Sequence, residues 1–97
     1  MTIGLVATLK VKDGSQAEFE AVFGELQAAV RANEPDCFLY DLFQDNQDPT
    51  VYVVMEQYAS QEALQAHGQM PHMRQIGPRM GQHLDGSPSL QFLTRIS

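Results

Sequence analysis

The chain has no tryptophan, one cysteine and only six basic residues against twelve acidic ones. Each shortage removes a class of protein. The lone Cys37 cannot staple the fold internally, which excludes a disulfide scaffold and fits a reducing compartment, so a cytoplasmic location is expected. A formal charge of −6, uninterrupted by any Lys/Arg cluster, repels phosphate backbones, so nucleic acid is not an expected partner. The longest apolar run is the five residues VYVVM, far below the roughly 20 needed to cross a bilayer. The opening stretch MTIGLVATLKVKDG reads directly as a strand, with neither a basic region nor a cleavage site, so no signal peptide and no membrane partner are expected. Missing too are a glycine-rich phosphate loop, a G-x-S-x-G turn, an HExxH helix and any paired-cysteine spacing. Neither a cofactor nor a metal is therefore expected.

What remains is ordinary for a soluble globular domain: 97 residues, 43% hydrophobic and 19% charged, enough for a single domain over 1–97 and no second core. IGLVATLKV (3–11) is apolar and β-branched until KDG breaks it, which predicts a strand. Ser15 followed by Glu18 has the form of a capping box, and Phe19, Val22, Phe23, Leu26 and Val30 recur at helical spacing. That helix is expected over Gln16–Ala32, stopping before Pro35. CFLYDLFQD and TVYVVMEQY read as strands joined by the turn DNQDP. Ser60 can cap a short helix, QEALQAH, that Gly68 ends, and Pro71 suits the first position of another bearing Met73, Ile76 and Met80. Pro78 should bend or shorten that last helix. After the turn DGSPS, LQFLTRI is a final strand. The order is β-α-β-β-α-β, an α+β ferredoxin-like split βαβ fold with an antiparallel sheet. Strand two presents Cys37, Leu39 and Phe43 on one side and Phe38, Tyr40 and Leu42 on the other; strand three is likewise apolar on both sides. A monomer would leave an apolar face in water, so a homodimer with its sheets face to face is expected.

The segments EPDCFLYDLFQD, MEQYASQEALQAH and PHM, in this order and spacing, resemble the antibiotic biosynthesis monooxygenase family over nearly the whole chain. The resemblance implies a dimeric α/β barrel. It also implies a chemistry drawn from several: metal- and flavin-free oxidation of phenols or quinols by O2, haem degradation, or isomerisation of a phosphorylated signalling sugar. Asp36 stands where the family pattern has glycine, and Tyr58 where tryptophan is common. Haem-degrading relatives carry Asn, Trp and His at places here held by Ala7, His67 and Gly77, which argues against haem. Arg74 and Arg79 are the only arginines near the later helices, no cluster for a phosphate.

The candidate site residues follow. His67 lies on the apolar side of its helix, three residues after Leu64 and four after Ala63, and is either a proton carrier facing a cavity or a satisfied core histidine. Glu56 shares a strand face with Tyr52, Val54 and Tyr58. Burial would tune such a carboxylate as a general acid or base, although pairing for structure, with His67, a backbone amide or a partner subunit, is its commoner fate. His72, directly after Pro71, is expected at a pocket mouth or in solvent, and His83 has no assigned role. His67 and His72 are separated by Gly68 and Pro71 and lack the spacing that puts two ligands on one helix face. Cys37 is expected to be buried and inert. The leading expectation is a cofactor-independent monooxygenase acting with O2 on a small hydroxyaromatic or quinol. His67 would be the base, Glu56 its orienting partner, and His72 or Tyr58 a donor. Phe23, Leu26, Met73 and Ile76 would line an apolar pocket. The alternative is a non-catalytic small-molecule-binding or stress-associated dimer.

Overall fold

The computed structural model describes residues 1–97 and follows the expected order: β1 (Ile3–Lys10), α1 (Gln16–Asn33), β2 (Cys37–Gln44), β3 (Val51–Tyr58), α2 (Gln61–Gln69), α3 (Pro71–Gly81) and β4 (Ser89–Thr94). The strands form one antiparallel sheet in the order β2-β3-β1-β4, the ferredoxin-like arrangement, with the second crossover divided into two helices. No helix is long and apolar enough to cross a membrane.

Sheet register decides which side chains meet the helices. Leu5 pairs with Glu56, Ala7 with Val54 and Leu9 with Tyr52, and all six are buried on one face. Phe19, Phe23, Leu26 and Val30 on the inner stripe of α1 close over this face together with Tyr40 of β2. Phe19 packs on Tyr52 and Phe23 stacks on Tyr40, with ring centroids 5.0 and 5.3 Å apart. α3 lies beside α1, and α2 beside β3 and α3.

Strand two departs from simple alternation. Cys37 pairs with Tyr58 and Leu39 with the next residue, Gln57, so Phe38 is an extra residue that bulges from the ladder. Cys37 therefore joins Tyr40 and Leu42 on the core side, while Phe38 is 57% exposed. The expected division of that strand, with Cys37 beside Leu39, is corrected accordingly.

Two local readings also change. Ser15 makes no side-chain cap, because its φ of −98° and ψ of 4° lack the extended backbone a capping side chain needs. Gln16 Oε1 accepts from Gly14 N–H at 2.8 Å instead, and Gly14 supplies the positive φ of the turn. Ser60 is extended, and its Oγ accepts from Ala63 N–H at 3.1 Å. Pro78 neither stops nor shortens α3, which continues to Gly81.

The sheet is apolar beyond what the helices cover. On the outer face Phe43 and Met55 are 49% and 40% exposed, and Leu93, across Gly4 on the other edge strand of the same face, is exposed as well. At the sheet edge, Leu90 and Phe92 of β4 pair with Ala7 and Leu5, so they point to the helical side, yet both remain more than half exposed.

Candidate functional site

Six polar side chains, Glu34, Tyr40, Glu56, Tyr58, His67 and His72, converge where α1 ends and α2 meets α3. Glu34 is the C-cap residue of α1, with its backbone N–H donating to Val30 O at 2.9 Å. A carboxylate at a helix C-terminus faces the negative end of the dipole, so it needs other compensation. It finds that in two imidazoles. His67 Nδ1 lies 2.9 and 3.0 Å from the two Glu34 oxygens, and His72 Nε2 lies 2.5 Å from Oε2. All three side chains are under 10% exposed. His67 arrives from the buried side of α2. His72 arrives because Met70, extended at φ −65° and ψ 145°, ends α2 and begins α3, turning the chain back toward Glu34.

Beneath the imidazoles lies the sheet. The ring of His67 packs tilted against Tyr40 and Tyr58, with centroids 5.4 and 5.3 Å away. Tyr58 O–H donates to Glu56 Oε1 at 2.6 Å. Burial pushes the Glu56 carboxyl up to about 7; the Tyr58 hydrogen bond opposes the rise and the charge of Glu34 adds to it. Burial and the charge of Glu56 likewise raise both the Tyr58 and the Tyr40 hydroxyls, so both stay protonated at neutral pH. Cys37 donates its thiol to Leu39 O at 3.4 Å, and burial followed by the charge of Glu34 pushes it up to about 11. It is a thiol, not a thiolate. No buried side-chain nitrogen or oxygen lacks a partner.

A cavity of about 90 Å³ adjoins the cluster, walled by Glu34, Asp36 and Cys37 on one side and by Ala63, Ala66 and Met70 on the other. A second hollow, about 480 Å³, opens between Gly4, Gln57, Leu93 and Arg95. Gly4 pairs with both Gln57 and Leu93, so that hollow lies on the outer face of the sheet, away from the histidines.

Several expectations are corrected by this geometry. The carboxylate that meets His67 is Glu34, and Glu56 is held by Tyr58 instead. His72 is buried, neither at a pocket mouth nor in solvent. The two histidines, read as divided by Gly68 and Pro71, reach one carboxylate from two helices. Phe23 and Leu26 are 2% and 0% exposed in the closed core, with Met73 and Ile76 half-buried against it, and neither cavity is lined by any of the four. The Tyr58 hydroxyl already donates its hydrogen bond to Glu56. Glu34 and Tyr40 are the residues the sequence reading passed over. A signal for Glu34 was available: an acidic residue closing a helix, directly before Pro35, is electrostatically misplaced unless it has a partner.

Residues 2–79 match the family model described as antibiotic biosynthesis monooxygenase. A Caulobacter crescentus structure, named as a candidate antibiotic biosynthesis monooxygenase, is 43% identical and superposes with a TM-score of 0.95 over 99% of this chain and 91% of that one. The chain belongs to the antibiotic biosynthesis monooxygenase family. The Pseudomonas aeruginosa protein PA3566 is 26% identical with a TM-score of 0.86, covering 99% of this chain and 95% of its own. A conserved Methanosarcina mazei protein at 22% identity and a TM-score of 0.92, over 99% and 94% of the two chains, shares the fold. No curated protein sequence matches the chain.

Proposed function

We propose that the protein is a cofactor-independent monooxygenase that oxidises a small hydroxyaromatic or quinol with O2. The observation that carries this reading is the Glu34–His67 pair. An ionised Glu34 holds a proton on His67 Nδ1, which leaves the lone pair on Nε2. An imidazole fixed in one tautomer by a carboxylate is the arrangement a general base requires. Glu34 is thus the positioning carboxylate in this scheme, the role first given to Glu56. With its carboxyl near 7, Glu56 is suited to return a proton later in the reaction.

The chemistry balances without another reagent. His67 takes a hydroxyl proton from the quinol, O2 adds to a ring carbon of the anion, and the hydroperoxide loses water, giving a hydroxyquinone and H2O. Developing oxyanion charge needs a donor, and the Tyr40 hydroxyl, on a ring that packs against His67, suits that role better than Tyr58, whose hydroxyl already donates to Glu56. His72 supports Glu34 at Oε2. A cavity of about 90 Å³ accepts O2 but not a ring system, so substrate admission requires the α2–α3 joint at Met70 to move.

The test is oxygen uptake during aerobic incubation with a panel of quinols and hydroxyaromatics. The expected result is saturable uptake that falls at least on the order of a hundredfold in His67→Gln, with kcat changed more than KM. Uptake no faster than the uncatalysed rate, with tight saturable binding of the same compounds, would favour the rival reading of a non-catalytic binding dimer. That rival is favoured by the complete internal pairing of the buried polar atoms.

The assembly proposed is a homodimer joined through the outer sheet face, with Phe43, Met55 and Leu93 at its centre. Sedimentation at micromolar concentration should give a dimer, and Met55→Glu a monomer with unchanged circular dichroism; a monomeric parent protein would count against the assembly.

A further inference from the structure

Outside this reading, the acidic side chains give little that could bind a ligand. Asp45 and Asp48 are occupied by their own turn. His83 lies 3.9 Å from a largely exposed Glu18. The Glu34 cluster is different in kind. Two imidazole nitrogens and one carboxylate oxygen, from three separate helix ends, lie within 4.8 Å of one another with all three side chains buried. We propose that Glu34, His67 and His72 form a binding site for a divalent first-row transition ion of the Zn2+ type.

The donor set is the first argument. Two neutral imidazoles and one carboxylate suit Zn2+ and Fe2+, and three protein ligands leave positions for water. The second argument is distance. A tetrahedral ion with bonds of about 2.0 Å holds neighbouring donors roughly 3.3 Å apart. The histidine nitrogens now stand 2.5–3.0 Å from the Glu34 oxygens and within 4.8 Å of each other, so the carboxylate contacts must open by less than about 1 Å and the two nitrogens close by up to about 1.5 Å. The third is access. Glu34 forms a wall of the cavity beside Met70, which gives an ion-bound water room on that side.

Proton accounting is simple for neutral imidazoles. His67 moves its proton from Nδ1 to Nε2 and His72 from Nε2 to Nδ1, freeing the lone pairs for the ion without net proton release. The proposal goes beyond the oxygenase reading and stands without it. If both hold, the ion-loaded protein has no free lone pair on His67 and does not oxidise quinols.

The experiment uses the intact chain, stripped with a chelator and then titrated with Zn2+ by calorimetry and with Co2+ by NMR. Neither substrate nor O2 chemistry is involved, so this result is independent of the activity assay. One Zn2+ per chain should bind saturably. Glu34→Gln and His72→Gln should weaken it by more than about a hundredfold, beyond what loss of a supporting partner costs, while His83→Gln leaves it unchanged. The three histidines of the unmodified protein act as their own control, which keeps the test open if a variant fails to fold. Co2+ should shift and broaden the ring signals of His67 and His72 and leave His83 sharp. Absence of saturable binding, or perturbation of His83 alone, would overturn the proposal.

Discussion

Two buried carboxylates sit within the same cluster and have been given different surroundings. Glu34 receives hydrogen bonds from two imidazoles, at both of its oxygens. Glu56 receives one, from the Tyr58 phenol, and its carboxyl is pushed up to about 7. The lesson concerns donors more than depth, since the two residues are 6% and 7% exposed. With one neutral donor Glu56 keeps most of the penalty of burial, which makes it a reservoir for a proton. Glu34 instead fixes the two rings that touch it.

Glu34→Ala tests the first half of this comparison with the largest expected effect. It strips two buried imidazoles of their acceptor and should destabilise the fold by about 3–5 kcal/mol in urea denaturation; a loss under about 1 kcal/mol would mean that Glu34 does not hold them. The second half appears as pH dependence. Folded Glu56 keeps its proton to about 7, whereas a free carboxyl releases it near 4.5, so between these values the native state binds more protons. Stability should therefore fall as pH rises through this window, by on the order of 2–3 kcal/mol. Glu56→Gln should flatten that slope and equal or exceed the parent in melting temperature at pH 8. A slope that persists in Glu56→Gln would assign it to another group. Tyr58→Phe sharpens the contrast further. It should cost about 1–2 kcal/mol and move the Glu56 midpoint higher still, as read by carboxyl NMR titration. The smallest effects separate the two helix starts: Ser60→Ala should cost about 1 kcal/mol and Ser15→Ala less than about 0.5, since only Ser60 caps with its side chain.

Much of the fold was legible in the sequence because its signals are local. The α1 stripe of Phe19, Val22, Phe23, Leu26 and Val30, the DNQDP turn and the start of α3 at Pro71 are each set by neighbours a few residues apart. Gly68, read as the end of α2, lies inside it instead, and the break falls at Met70. The bulge at Phe38 was not legible, because the residue looks like any other apolar strand position until its partner strand is placed. The site was half legible. Burial of His67 and the aromatic company of Glu56 followed from periodicity, whereas the Glu34 contacts join residues 33 and 38 positions apart. The break that divides the two histidines in sequence is what folds the second back toward the first. The apolar pocket was misread for a related reason. The inner stripe of α1 is equally apolar whether it closes on the sheet or leaves a gap, and here Phe23 stacking on Tyr40 closes it.

The bulge has a consequence for what the chain can tolerate. Phe38 lies between Glu34 and the regular ladder that begins at Leu39, and each strand residue advances the backbone by about 3.3 Å. Deleting it would draw the carboxylate toward the sheet by about that length, more than a hydrogen bond can absorb. An insertion would push it the other way. Phe38 is a spacer: the letter at this position is free to vary, but the number of letters is not.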